Sequence, residues 1–229
     1  MRIESGYWRG QTLQAPNGNA TRPTDGRTRE MLFNSLGEFI VEARVLDLYA
    51  GSGAVGLEAL SRGAKSCVFV EIEHGALRAL RANVKKLRVE RLCQIWAANA
   101  RTAPAKLSDD RASFNFIFAD PPFTQPNEAA EIARRLDALP GLLNNESVES
   151  NETAPKAVAG AVAKATGWIV VQHSRRVELP ALEHFVVART KRSGESTLSF
   201  LRPHPDFNLG FESDSDSDIS SVSAPEANP

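Results

Sequence analysis

The chain is poor in the residues that would commit it to several large classes of protein. It has two cysteines in 229 residues, Cys67 and Cys93. Both lie in apolar strand-like runs. There is no second pair to build a disulfide framework and no spacing that suits zinc, so they read as buried thiols of a protein kept in a reducing cytoplasm. Histidine is scarce too, and no His/Cys cluster offers a metal site. No apolar run approaches the roughly 20 residues of a membrane span. The opening Met1-Arg2-Ile3-Glu4-Ser5 lacks the apolar core of a secretion signal. Net charge is almost absent, at 27 basic against 28 acidic residues, so composition alone announces no nucleic-acid partner. Its distribution is uneven. Residues 212–229 hold five acids and no base, and setting them aside moves the remainder from −1 to +4. A mildly basic body is compatible with an RNA partner.

What is present is an alternation of strand and helix patterns. Residues 2–15 alternate weakly about Gly6 and Gly10, which predicts a small β-hairpin, and Asn17-Gly18-Asn19 predicts a turn. A helix follows Arg22-Pro23-Thr24, capped by Thr24 or Asp25, with Met31, Leu32, Leu36 and Phe39 on one face. Strands are expected at 44–48, 66–71, 93–97, 115–119 and 168–172. Helices are expected at 54–62, 74–87 and 128–139. Residues 185–189 and 196–201 flank Ser193-Gly194 as an antiparallel pair. Such alternation predicts an α/β fold: a mainly parallel sheet with helices on both faces and an antiparallel pair at the carboxyl end. Residues 1–41 form an N-terminal extension and 42–203 the main domain. Residues 144–166, rich in Asn, Glu, Ala and Ser, read as an insertion. The acidic 204–229 segment reads as a disordered tail.

The most telling ten residues run from Phe114 to Phe123. An apolar strand ends in Asp120-Pro121-Pro122-Phe123. Asp120 then sits at the carboxyl edge of the sheet, the usual ligand edge of an open α/β fold. Pro121 lacks an N–H, so its carbonyl is what its backbone offers. Each proline stiffens the residue before it, and Phe123 adds a flat apolar face. Two acceptors beside a ring suit a planar base with an exocyclic amine. The run resembles the Asp/Asn-Pro-Pro-aromatic motif of methyltransferases that act on nucleobase amino groups. As a bare tetrapeptide it equally fits a proline-rich turn capped by an aspartate.

Gly51-Ser52-Gly53-Ala54-Val55-Gly56 fits the glycine-rich turn between a strand and a helix, a pattern shared with dinucleotide enzymes. Asp47, inside the strand end, separates the readings. A pyrophosphate at the helix N-terminus would be repelled by it, whereas a ligand with an amino group would not. Glu71 ends the next strand, 20 residues after Gly51, where a carboxylate suits a bidentate grip on ribose hydroxyls. Asn99-Ala100 follows the third strand, and the Asn99 side-chain oxygen can accept from an amine. The run from Val45 to Gly53 resembles the first motif of S-adenosylmethionine-dependent methyltransferases.

Further residues narrow the resemblance. Met1-Arg2-Ile3 with Gly6 and Arg9-Gly10, Thr21-Arg22-Pro23-Thr24 with Arg27 and Arg29-Glu30, Leu57 to Ala64, Asp120 to Phe123, and His173-Ser174 together resemble the bacterial small-subunit (16S) rRNA guanine-N2 methyltransferases. The departures are Asn99, and Gln172 in place of an expected Glu. The resemblance implies a Rossmann-like class I methyltransferase fold, S-adenosylmethionine as cofactor, and transfer to the N2 amine of a guanine. The partner would be 16S rRNA or a small-subunit assembly particle, with neither metal nor membrane, and the protein a cytoplasmic monomer. It implies cofactor contacts at Asp47, Ala50, Gly51, Ser52, Gly53, Glu71, Ile72, Asn99, Ala100 and Asp120. Chemistry would fall to Asp120, Pro121, Pro122 and Phe123. Arg9, Arg22, Thr24, Arg27, Arg29, Phe123 and His173 would meet the RNA, although an ordinary solvated surface suits the arginines and a structural role suits His173. An adenine-N6 or cytosine-N4 methyltransferase, a nicotinamide-dependent oxidoreductase and a non-catalytic RNA-binding relative remain open alternatives.

Overall fold

The computed structural model describes residues 1–16, 25–125, 127–144 and 167–206. The expected turn at Asn17-Gly18-Asn19, the residues Arg22 and Thr24, the insertion beyond Asn144 and the tail from Phe207 lie outside the described residues.

Seven strands form one sheet: β1 (Arg44–Leu48), β2 (Ser66–Glu71), β3 (Cys93–Ala97), β4 (Phe116–Ala119), β5 (Trp168–Ser174), β6 (Phe185–Ser193) and β7 (Ser196–Pro203). Their order is β3-β2-β1-β4-β5-β7-β6. The first five are parallel, and β7 runs antiparallel between β5 and β6. The helices are α1 (Gly26–Leu36), α2 (Ala54–Ser61), α3 (His74–Leu87), α4 (Ala103–Asp109) and α5 (Glu128–Asp137). Alternation along β4 divides the interior. Phe116 and Phe118 join Leu57, Phe69 and Leu80 on one face of the sheet. Ile117 and Ala119 join Leu46, Ile132 and Leu136 on the other. Burial on both faces is why these strands read as continuous apolar runs. Among the described residues, no helix is long and apolar enough to cross a membrane.

Strand order reverses between β1 and β4. The chain builds outward through β2 and β3, then returns to the other side of β1, which opens a crevice at the carboxyl ends of the two central strands. The expected mainly parallel sheet with an antiparallel carboxyl-terminal pair is the observed one. Ends differ by a few residues. β5 and β6 run on to Ser174 and Ser193, and β4 begins at Phe116, one residue after Asn115, whose side chain accepts from the Arg44 N–H (2.9 Å). Helix α4 was not expected. It is seven residues long and contains Pro104, too short to show helical periodicity.

Asp25 caps α1, accepting from the Thr28 N–H at 2.7 Å. The segment before it is a loose hairpin with a single bridge, Arg2 to Thr12, rather than two regular strands. It is fastened to the core. Ile3 and Leu13 are buried, and the buried Glu58 carboxylate of α2 accepts from the Glu4 and Ser5 N–H groups (2.8 and 3.0 Å). Tyr7 N–H donates to the Ser61 carbonyl, so the Gly6–Gly10 tip lies at the carboxyl end of α2.

Gly56 lies in α2 where the helix crosses β2. A Cβ there would stand 2.3 Å from Phe69 and 2.5 Å from the Cys67 sulfur. Both neighbours are buried and cannot withdraw. Gly56→Ala should therefore destabilise the fold by about 1–3 kcal/mol through overpacking, despite the better helix propensity of alanine. Chemical denaturation would check this, and an unchanged midpoint would contradict it.

Candidate active site

The crevice is built by four strand ends. Asp47 sits inside the end of β1 with its side chain buried, and its Oδ2 accepts from the Gly56 N–H at 2.9 Å. Burial pushes its carboxyl up to about 8; the nearby Asp120 and Glu71 carboxylates push the same way, against the Gly56 hydrogen bond. Three acids therefore share one electrostatic environment. Such a crevice favours a cation and disfavours a pyrophosphate. Asp47 acts first as an internal brace: it fixes the glycine turn to the first turn of α2.

Glu71 braces the neighbouring turns. Its Oε2 accepts from the Gly51 N–H (2.7 Å), and its Oε1 accepts from the Ile72 and Glu73 N–H groups (2.8 Å each). Both lone pairs of Oε1 are thus engaged, while Oε2 retains one. The expected bidentate grip on two hydroxyls is not available in this arrangement; one further contact through Oε2 is. Ile72 beside it is 60% exposed, an apolar surface at the crevice mouth. Gly51 has φ +58°, and a Cβ there would meet nothing within 4 Å, so the turn faces open space. Gly53 is different: a Cβ there would meet Leu80 at 2.4 Å, so this glycine serves packing against α3. Ala50 and Ser52 are buried beneath the turn, and Asn83 Nδ2 donates to the Ser52 carbonyl at 2.9 Å. Past β3, Asn99 is exposed and Ala100 buried. The Asn99 Oδ1 accepts from the Arg101 N–H at 2.9 Å.

The Asp-Pro-Pro-Phe run leaves β4 at the same edge. Asp120 N–H still reaches the Leu48 carbonyl at 3.4 Å, which holds the run against β1. Pro121 is buried, Pro122 is exposed, and Phe123 is 41% exposed. The Pro122 carbonyl accepts from Gln125 N–H at 3.0 Å, closing a turn that presents the ring.

A network absent from the sequence-based expectations clamps this loop. Glu128, buried at the start of α5, accepts from the Tyr49 hydroxyl (2.5 Å) and from Arg101 Nε (2.8 Å to Oε1, 2.9 Å to Oε2), and it pairs with Arg101 Nη2. Arg101 is the main reason its carboxyl lies below the usual range. Tyr49 carries a positive φ of 59°, a costly conformation for an aromatic residue. The three residues come from the ends of β1 and β3 and from the far end of the Asp120 loop. The signal in the sequence was slight: Tyr49 directly follows β1, Arg101 lies a few residues past β3, and Glu128 opens α5.

Several expected RNA contacts sit elsewhere. Arg29 is buried, and its Nη2 donates to the Arg2 carbonyl at 2.9 Å, because the hairpin folds over α1. It serves the fold rather than a phosphate. His173 is also buried. Its Nδ1 lies 2.9 Å from the Ser174 carbonyl and its Nε2 2.8 Å from the Ser199 hydroxyl, while burial lowers its pKa. It is a neutral structural histidine between β5 and β7. Arg9 is exposed, but on the hairpin tip at the end of α2 remote from Gly53; eight helical residues span about 12 Å. Arg27 is exposed on α1.

A glycine turn at the switch point, acids at successive strand ends and an Asp-Pro-Pro-Phe run beside them, on a Rossmann-like sheet, define the class of the fold: that of methyltransferase-type α/β proteins. The chain belongs to the family described as Conserved hypothetical protein 95, which matches residues 1–202. It is 33% identical over 180 residues to YlbH of Bacillus subtilis, a protein provisionally named an rRNA methyltransferase; the match covers 79% of this chain and 86% of that one. It is 41% identical over 127 residues to ribosomal RNA small subunit methyltransferase D of Escherichia coli K12, a match covering 54% of this chain and 60% of that protein. Among solved structures, the Escherichia coli protein yhhF, provisionally titled a methyltransferase, superposes with TM-score 0.68 at 30% identity, covering 89% of this chain and 97% of that one.

The pKa of Asp47 gives a test of its brace role. In the unfolded chain its carboxyl titrates near 3.9; in the fold it titrates near 8. Between those values the native state holds a proton that the unfolded state has lost, so this group makes stability fall as pH rises. An asparagine at this position would not titrate and could still accept from Gly56. Relative to Asp47→Asn, the parent should lose on the order of a few kcal/mol between pH 4 and pH 8. Urea unfolding at the two pH values measures the difference, and a constant gap would contradict the burial argument.

Proposed function

We propose that the chain transfers a methyl group from S-adenosylmethionine to the exocyclic N2 amine of a guanine in small-subunit ribosomal RNA. The observation that carries this reading is the position of Asp120 to Phe123: at the carboxyl end of β4, beside the glycine turn of β1, at the switch point of the sheet. The names of the relatives support ribosomal RNA over other amine-bearing nucleic acids. In this reading residues 42–203 carry the transfer and residues 1–41 assist RNA binding.

The crevice suits this cofactor. Gly51 faces open space, Ile72 offers an apolar surface beside Glu71, and the shared acidic environment welcomes a cation. Glu71 would hold a ribose hydroxyl through Oε2, and Asn99 or the Ala100 backbone would meet the adenine edge. S-adenosylmethionine supplies a methyl carbon made electrophilic by its sulfonium centre.

The chain's own residues must then place a poor nucleophile, because the guanine amine delocalises its lone pair into the ring. Asp120 and the Pro121 carbonyl would accept its two N–H bonds. That favours a localised lone pair and stabilises the positive charge that grows on nitrogen. Proline-restricted backbone keeps the two acceptors in place without reorganisation. Phe123 would stack on a base that has left its helix or loop. The nitrogen gains the methyl and gives up a proton, to Asp120 or to water.

Two substitutions test the assignment. Asp120→Ala should abolish methyl transfer to small-subunit rRNA while calorimetric cofactor binding stays near the parent value; normal turnover would refute the role. Glu71→Ala should weaken cofactor binding by one to a few kcal/mol, since a charged acceptor and its hold on the turn are both removed. Unchanged cofactor affinity would remove Glu71 from the site.

A further inference from the structure

A basic groove lies on the same face of the sheet as Asp120, formed between α1 and β6. It encloses about 530 Å³ and is lined by Arg27, Glu30, Asn34, Ser35, Arg189 and Lys191. Three of these are cations and one is an acid. Arg189 makes the floor. Its Nη2 donates to the Ser35 carbonyl at 2.5 Å, and its guanidinium lies over the rings of Trp168 and Phe200, 5.0 and 4.5 Å from their centroids. Its Nε is buried without a hydrogen-bond partner among the described residues. Arg27 and Lys191 stand exposed on either wall, and neither forms an ion pair among the described residues.

The strand register ties this groove to the crevice. Ala119 is level with Val171, so Asp120 is level with Gln172 on the adjoining strand. Gln172 pairs with Leu198, and Leu198 with Lys191. Asp120, Gln172, Leu198 and Lys191 therefore form one row across β4, β5, β7 and β6, and residues in a row share a face. Three strand spacings put Lys191 about 14 Å from Asp120. β6 also carries a bulge at Ala188, between the pairs Val187–Leu201 and Arg189–Phe200. Without that extra residue Arg189 and Lys191 would point to the opposite face. The irregularity thus turns two cations toward the face that bears Asp120.

We infer that this groove holds backbone phosphates of the RNA a few nucleotides from the base that enters the crevice. The inference rests on the reading of the chain as an RNA methyltransferase. A span of about 14 Å corresponds to roughly four nucleotides of stacked strand at 3.4 Å each. Arg27 and Lys191 make the phosphate contacts, and Arg189 fixes the groove by joining α1 to β6. Arg27 is the one member that the sequence had offered as an RNA contact; Lys191 of β6 is added to it.

The test uses an unmodified small-subunit rRNA transcript and the full chain. The double variant Arg27→Ala, Lys191→Ala is compared with Arg81→Ala, Lys85→Ala, which removes two cations from α3 at the opposite edge of the sheet. The groove variant should bind RNA more weakly, and its log–log salt slope should fall by about 1.4, taking about 0.7 for each phosphate of a single strand that is no longer neutralised. Its melting temperature and its cofactor affinity should match the parent, and the α3 variant should keep the parental slope. A parental slope in the groove variant, beside a parent that methylates the transcript, would overturn the groove and leave the methyltransferase reading standing. An equal weakening in both variants would also overturn it, by showing a response to net charge alone. A parent that binds the cofactor but neither binds nor methylates the RNA would overturn the functional reading, and the groove with it.

Discussion

The hydrogen bond from Gly51 N–H to Glu71 is the constraint on which the crevice depends. It crosses from the turn after β1 to the end of β2, and the same carboxylate also gathers the Ile72 and Glu73 N–H groups at the head of α3. Turns at strand ends leave backbone donors that need partners. Here a single charged acceptor satisfies three of them and so fixes the relative positions of two loops. Asp47 does the same work one strand over, for Gly56. The ligand edge of this sheet is thus assembled by acidic side chains bonded to backbone, before any ligand contributes.

The Asp120 loop is held by a second device of different character. Glu128, Arg101 and Tyr49 form an ion pair, buried at its carboxylate and exposed at its guanidinium, with a phenol attached; it joins the ends of β1 and β3 to the start of α5. The left-handed backbone at Tyr49 is offset by that attachment, and the side chain closes the loop at its far end. Prolines at one end and a charged clamp at the other hold a loop on whose exposed stretch Phe123 presents its ring. In the proposed reading, this division suits a surface that admits a flat base without rebuilding itself.

Much of this was legible in the sequence where one local pattern sufficed. Val45 to Gly53 showed a buried strand running into a glycine turn, and the apolar spacing from Leu77 to Leu87 showed α3 with its observed ends. The strand ends bearing Asp47, Glu71 and Asp120 followed from the same patterns. What escaped was non-local. Arg101 and Glu128 are 27 residues apart, and Tyr49 is 79 from Glu128, so nothing in either neighbourhood announced the clamp. Arg29 looked like a surface cation because its acceptor, the Arg2 carbonyl, reaches it only once the hairpin has folded over α1. The bulge at Ala188 was equally hidden, since the period-two pattern of β6 changes phase there without any glycine or proline to mark it.

The buried Asp47 also makes the crevice a store for one proton. With its carboxyl titrating near 8, that side chain is largely neutral at pH 7, and a cation seated among Asp47, Glu71 and Asp120 lowers its affinity for the proton. Arrival of a positively charged guest would then be an exchange, in which a cation enters and a proton leaves to solvent. The heat of binding such a guest would include the ionisation heat of whichever buffer receives that proton, and the apparent affinity would rise with pH until Asp47 is already ionised.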